Sequence, residues 1–309
     1  MAATFGNLTT TDAKFIGVKS FWEGLNLSMD TWREFYEFLA PVNGGASLRI
    51  ASLTGIGSIP TWDGNADLTT DAPNKTNALT IDYAGYGLQV QTSKWDVLDV
   101  PDILANVSRK LGASMAYAYE ERAYAGLNAS FTGTYMAGSK PLFSGTHTTA
   151  SVATRDNLST VAFSAVQLLD CIRKLRVFPN YQNQFTNYAD MGLTVIVSPK
   201  NEKAALEALN SSFINQGVGG TDGNGSSMQY NSIQKFGPSL VVSGQLTDDD
   251  DWFVITRTAD TPFKLFERSA PNYTVDTDPD SRLVKIAVDA ALQYGLGPNP
   301  DGAIGCNIA

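Results

Sequence analysis

Between Asp102 and Leu127 the apolar side chains Leu104, Val107, Leu111, Met115 and Ala118 recur at steps of three and four. That spacing gathers them on one face of a helix. At 1.5 Å per residue such a helix is about 40 Å long, and the rest of the chain must be arranged around that rod. Pro101 lies near its start, with Asp99 as candidate cap. Asp102 falls in the first turn, where a carboxylate suits the helix dipole.

What precedes the rod differs in kind. Residues 45–92 are rich in Gly, Thr, Asn and Asp. Alternation at Leu48 and Ile50, then at Leu79, Ile81 and Tyr83, then at Leu88 and Val90 argues for strands. A polar turn region from Pro60 to Asn74 separates the first two runs. Two strands joined by such a tip form an extended arm. An isolated two-stranded ribbon is marginally stable, so the arm must lie on this chain or on a neighbouring copy. Before it, Trp32, Phe35 and Leu39 predict a short helix over 28–39, with Ser28 or Asp30 as cap and Pro41 after its end.

After the rod, Val166, Leu169, Ile172 and Leu175 predict a second helix over 163–177, capped by Ser159 or Thr160. A short buried strand over 193–198 runs into a third helix opened by Pro199, with Ser198 before it. Residues 216–227 form a Gly-rich loop. Strands are expected at 239–242, 252–257 and 283–290. Helices and strands mix without regular βαβ repetition, so the fold class is α+β.

Chemistry is sparse. The single histidine, His147, cannot build a multi-histidine metal site. Cys171 and Cys306 give neither a zinc ligand pair nor a disulfide framework. Cys171 falls in the apolar pattern of the second helix and reads as a core residue, and Cys306 as a free thiol. Gly55–Gly57, Gly85–Gly87 and Gly295–Gly297 each begin a G-x-G, but none is followed by the third glycine of a dinucleotide fingerprint. There is no Gly-Lys dipeptide for a P-loop and no G-x-S-x-G elbow. Asp276, Asp278 and Asp280 open like a calcium loop, but Ser281 and Ala287 stand where glycine and glutamate are needed. They read as a solvated acidic turn, and Asp248 to Asp251 as an exposed loop. No catalytic residue, cofactor or metal is expected. The N-x-S/T triplets at Asn26, Asn106 and Asn128 read as plain Ser/Thr/Asn abundance. The first residues lack the basic and apolar regions of a secretory signal, and no run approaches the roughly 18 residues of a membrane span. Synthesis in a cytoplasm, with both thiols reduced, is the expectation.

The stretch Lys140-Pro-Leu-Phe-Ser-Gly-Thr-His147, a spacer, Asn157-Leu-Ser, and a helix from Phe163 resembles the major head protein of Mu-like phages. The strand ending Ser198-Pro199 before a helix, and Gln293-Tyr-Gly-Leu-Gly297 near the end, are similar too. The resemblance implies the Hong Kong ninety-seven phage major-capsid fold. It implies an N-terminal arm over 1–44, an extended β-hairpin E-loop over 45–92, and a peripheral domain with the long spine helix over 93–177. An axial domain over 178–245 and a return to the peripheral domain over 246–309 complete it. It implies hexamers and pentamers of an icosahedral head around double-stranded DNA. The partners would be other copies, with separate scaffold, portal and decoration proteins, and no membrane. The place would be the virion capsid, assembled in the host bacterial cytoplasm. No scaffolding segment precedes the arm, so a scaffold is expected to be separate or already removed. No lysine–asparagine cross-linking pair is identified, so assembly is expected to be non-covalent. Trp32, Trp62, Asp63 and Lys75 are the candidate assembly contacts. An encapsulin-like shell holding cargo is the alternative. A hydrolase built on Asp248 to Asp251 or on Asp276 to Asp280 is a further one.

Lys and Arg number 22 and Asp and Glu 31, a net charge of −9. Nine acidic and three basic residues fall between Asp248 and Asp280, so that segment alone carries −6. Phosphate-backbone binding needs Lys and Arg to displace counterions. The charge argues against tight binding to nucleic acid; with the resemblance, it implies a wall that encloses DNA without gripping it.

Overall fold

The computed structural model describes residues 10–27, 31–39, 47–53, 75–100, 102–133, 140–148, 154–179, 185–216, 227–257, 261–278, 283–296 and 300–308. It opens with helix α1, Thr10–Leu27. A 3-10 turn, Thr31–Glu34, leads into strand β1, Glu37–Leu39. Strands β2 (Ser47–Leu53) and β3 (Lys75–Asp82) pair antiparallel as a separate ribbon. Strand β4, Ala84–Ser93, follows β3 almost directly. The short helix α2 (Lys94–Asp99) precedes α3, Ile103–Asn128.

Helix α3 is the expected rod, 26 residues long. Asp102 rather than Asp99 stands at its cap position, and its side chain makes no capping bond. Asp99 closes α2 instead. The buried face of α3 includes Leu104, Leu111, Met115, Tyr119, Tyr124 and Leu127.

Helix α1 lies against α3 at unusually short range. A Cβ on Gly112 would collide with the Phe21 carbonyl oxygen and come within 2.8 Å of the Leu25 nitrogen. A Cβ on Gly24 would collide with the Arg109 carbonyl oxygen. The two glycines let the backbones touch, and Phe21 is fully buried between α1 and the sheet, its ring 5.4 Å from that of Tyr273.

Over the described part of the predicted helix at 28–39, residues 31–39, no α-helix forms. Glu37, Phe38 and Leu39 instead pair in parallel with Lys264, Leu265 and Phe266. The adjacent rings of Phe35 and Tyr36 are both buried, and a strand partner holds the backbone that follows them extended.

After α3 come three two-residue strands: β5 (His147–Thr148), β6 (Thr154–Arg155) and β7 (Leu158–Ser159). Helix α4 spans Ala165–Val177, capped by Ser164, whose hydroxyl accepts from the Gln167 N–H. The expected caps Ser159 and Thr160 lie too early, because Leu158 and Ser159 are held as a strand beside the C-terminal residues. Strand β8 is Leu193–Val197, and a 3-10 turn opened by Pro199 leads into α5, Glu202–Asn210. Ser198 stands at the cap position, but its hydroxyl donates to the Asp249 carbonyl. Strands β9 (Phe213–Gln216) and β10 (Ser227–Tyr230) form a second antiparallel ribbon, flanking the Gly-rich segment that lies outside the described residues.

Strands β11 (Ser239–Val242), β12 (Trp252–Thr256), β13 (Phe263–Asp278), β14 (Leu283–Leu296) and β15 (Ala303–Cys306) complete the chain. Asp276 and Asp278 are therefore strand residues, with Asp276 opposite Lys285, rather than part of a turn. Asp280 lies outside the described residues. Strand β14 runs on to Leu296, six residues past its expected end.

Two sheets organise these strands. One has the order β1-β13-β14-β4, the other β11-β8-β12-β15-β7. Strand β14 alternates, with Val284, Ile286, Val288, Ala290, Leu292, Tyr294 and Leu296 turned to the α3 core. Strands β8 and β12 are buried at every residue, as a strand covered on both faces must be. Val195, Val197, Trp252 and Val254 face the core of α4 and α5. Ile196, Phe253 and Ile255 face the core of α3. The five-stranded sheet is thus the wall shared by the two cores.

Candidate assembly surfaces

The segment that carried the resemblance is a buried clasp. Leu142 and Phe143 are fully buried. Gly305 has no Cβ because the Phe143 ring occupies that space, 2.5 Å from where one would sit. Asn157 is fully buried and its side chain joins three strands of chain. Its Nδ2 donates to the Leu142 carbonyl at 3.0 Å and the Pro300 carbonyl at 3.4 Å. Its Oδ1 accepts from the Ser144 N–H at 2.9 Å. Its own carbonyl accepts from the Gly305 N–H at 3.0 Å.

Two charged groups close the same clasp. Arg155 Nη1 and Asp301 Oδ1 are 2.6 Å apart, and both residues are buried. His147 Nε2 lies 2.8 Å from the Leu142 carbonyl. Burial pushes the His147 pKa down, and the nearby Arg155 adds to that. The carbonyl can only accept, so the ring Nε2–H donates.

Several residues of the acidic segment are tied to residues outside it. Asp250 Oδ1 is 2.7 Å from Lys200 Nζ, and this bond raises the lysine's pKa. Arg257 pairs with Glu34, and Lys264 with Glu37. Glu267 accepts from the Tyr119 hydroxyl at 3.0 Å. The run at 248–251 is not wholly an exposed loop: Asp251 is only 5% exposed. Burial pushes its pKa up to about 6, aided by Asp248, while the Ile308 N–H opposes the rise. Among the described residues no group of three or more His, Cys, Asp or Glu side chains is placed to hold a metal ion. No described helix is long and apolar enough to cross a membrane.

Cys171 is buried as expected. Cys306 is buried too, its Sγ 3.9 Å from that of Cys171. Burial pushes the Cys306 thiol far up, with Cys171 adding to it, so the two behave as small apolar side chains joining α4 to β15.

The candidate contact residues are scattered. Trp32 is 2% exposed and packs against Tyr119 at 6.0 Å and Tyr294 at 5.8 Å within its own chain. Its side chain fastens the 3-10 turn to α3 and β14. Trp62 and Asp63 lie outside the described residues. Lys75 begins β3, opposite Leu53. Among the described residues, the tryptophans that reach the surface are Trp22 and Trp95, neither of which was singled out as a contact from the sequence. On the second ribbon Phe213 and Tyr230 are 56% and 72% exposed, their rings edge to face at 6.4 Å.

The phage capsid protein family matches residues 84–305. No curated protein matches the sequence. Among solved structures, the capsid of the cyanophage P-SCSP1u is similar at a TM-score of 0.59 and 12% identity, covering 89% of this chain and 86% of the other. The capsid of a native GTA particle is similar at 0.56 and 12% identity, covering 91% of both chains. A virus-like particle from Pyrococcus furiosus is similar at 0.54 and 8% identity, covering 93% of this chain and 96% of that one. At these identities the likeness is one of fold, and the phage major-capsid fold expected from the sequence is met.

Proposed function

As this chain belongs to the phage capsid protein family, we propose that it is the major capsid protein of a phage, whose copies close into an icosahedral shell. The observation that carries this reading is the family match over residues 84–305, which takes in the rod, the clasp and the strands of the two large sheets other than β1. Its role is structural: association in place of turnover. The family match favours a phage head over a cargo-holding shell.

The finer layout follows the same reading. Helix α3 serves as the spine helix of a peripheral domain. The β2–β3 ribbon, which stands apart from both large sheets, supports an E-loop over 45–92. The α4–α5 core and the β9–β10 ribbon support an axial domain over 178–245, with residues 1–44 as the arm. Hexamers and pentamers enclose double-stranded DNA, and scaffold, portal and decoration proteins join from outside this chain. A host bacterial cytoplasm is the place of assembly. An acidic chain repels phosphate weakly, so the packaged DNA slides along the wall. Trp62, Asp63 and Lys75 remain contacts to test at the E-loop.

Electron microscopy of the purified protein, alone and with a co-expressed scaffold, tests the reading. Closed shells of uniform size support it. Monodisperse monomers under every condition would contradict it.

A further inference from the structure

The chain has two cysteines, Cys171 and Cys306, and the fold brings them together. Their sulfurs are 3.9 Å apart although 135 positions of sequence separate them. Cys171 lies in α4, and Cys306 ends β15. The two are 2% and 0% exposed, in the core that α4 shares with the five-stranded sheet. Each is a free thiol. A metal clip is not their use, because among the described residues no group of three or more His, Cys, Asp or Glu is placed to hold an ion.

Two thiols in van der Waals contact have a chemistry that neither has alone. A disulfide holds its sulfurs at about 2.0 Å, so each of these has about 1 Å to move. The medium decides when that happens. Burial pushes the Cys306 thiol far up, with Cys171 adding to it, while the Ser159 hydroxyl and the Lys174 ammonium pull it down. The protonated thiol is the resting form, and a reducing compartment preserves it. Beside Cys306 in the sheet runs β7, joined to β15 through Leu158 and Ser159 alone. So short a strand opens locally more readily than the fully buried β8 and β12, and it opens next to this sulfur.

We propose that Cys171 and Cys306 are a modification site, an intramolecular disulfide that forms when the protein meets a peroxide-class oxidant outside a reducing compartment. With hydrogen peroxide the steps balance. One sulfur, as thiolate, attacks a peroxide oxygen and the O–O bond breaks. That sulfur becomes a sulfenic acid, and the hydroxide released takes up the thiol's proton as water. The second sulfur then attacks the sulfenic sulfur. The S–S bond forms, the S–O bond breaks, and the departing hydroxide leaves with the second thiol's proton as water. Two thiols give up two electrons, and one peroxide becomes two waters. The bond closes a loop that carries every strand from β8 to β14 and ties α4 covalently to β15. The site stands without the capsid reading; on that reading, it is the shell leaving its host that meets the oxidant.

Intact-mass measurement of the full chain, purified in reductant and then exposed to hydrogen peroxide, tests it. The chain should lose about 2 Da, the two hydrogens removed, and peptide mapping without reductant should join the Cys171 peptide to the Cys306 peptide. Closing so long a loop should shift the unfolding equilibrium in urea by roughly 100-fold or more toward the native state, and dithiothreitol should reverse the shift. Cys171→Ala and Cys306→Ser, treated alike, should show neither the loss nor the shift. A gain of about 16 or 32 Da with no species lighter by about 2 Da would overturn the proposal. So would a bond between two chains instead of within one, or folded thiols left intact at a peroxide dose that oxidises the urea-unfolded chain. A linked pair with no gain in stability would overturn it as well, since the native fold would then not accommodate the bond. Shell formation is read separately by microscopy, and its failure leaves this result untouched.

Discussion

Gly112→Ala isolates the close approach of α1 and α3. In an isolated helix this change is favourable by about 0.8–1 kcal/mol, because alanine is the better helix former. Here the added Cβ collides with the Phe21 carbonyl oxygen, 2.8 Å from the Leu25 nitrogen and 3.1 Å from the Gly24 carbonyl carbon. All three are backbone atoms of α1, so no side chain can swing aside. The helices must part by about 1 Å, which forfeits a quarter to a half of the dispersion attraction between facing atoms. Overpacking of this kind costs about 1–3 kcal/mol, so the balance is a net loss. The assay is urea unfolding of the unassembled protein, with amide exchange over residues 16–27 to localise the effect. Gly85→Ala is the control, since a Cβ there meets nothing within 4 Å. The variant should unfold at lower urea and lose protection in α1, while the control should not. Equal or greater stability of Gly112→Ala, with α1 still protected, would refute the claimed helix contact.

Other outcomes follow from the clasp, the acidic turn and the second ribbon. Arg155→Met leaves Asp301 as a buried charge without its guanidinium and should cost about 3–5 kcal/mol in urea unfolding, with much of it recovered by adding Asp301→Leu. Asp251 binds its proton more tightly folded than unfolded, so its contribution favours the native state at acid pH and is lost as pH rises through about 6. Asp251→Asn should therefore raise stability at pH 8 by roughly 1–3 kcal/mol and flatten the pH dependence between 4 and 7. His147 runs the other way: its pKa is depressed, so its contribution is full above 6.5 and declines as the unfolded chain takes up the proton below that. Circular dichroism melts of His147→Gln across pH 5–8 should lose that acid-side fall. Replacing Phe213 and Tyr230 together by serine should leave the monomer's melt unchanged and reduce shell yield, as read by sedimentation.

The long helix α3, the helix α4, the strand β8 before Pro199 and the strand β12 were legible because each carries its periodicity in unbroken local sequence. Strand β13 was not. Pro271 and register shifts between Glu267, Ser269 and Asn272 interrupt its alternation, and its aspartates imitate a turn. The helix expected at 28–39 had the right spacing of Trp32, Phe35 and Leu39, but pairing of β1 with β13, more than 200 residues away, overrode it. Helix α1 contains Gly17 and Gly24, which weaken a local helix signal and make sense only once α3 and Tyr273 fill the space beside them. The segment from Leu142 to Asn157 was found through resemblance, yet its reason is tertiary. Arg155 meets Asp301, and Asn157 meets Pro300 and Gly305, partners that no local pattern could supply. Surface contacts were the least legible, since Trp32, an aromatic in an arm-like segment, turned out to be core.

The central claim is that this chain encloses space by repeating itself. Cryo-electron microscopy of particles purified after expression with a scaffold tests it most directly, coupled to mass measurement of the intact particle. The expected result is a closed shell with icosahedral symmetry, whose protein mass is a whole-number multiple of the 33.2 kDa subunit and into which this fold fits at every position. A single subunit of 33.2 kDa at all concentrations, or open aggregates without symmetry, would contradict it.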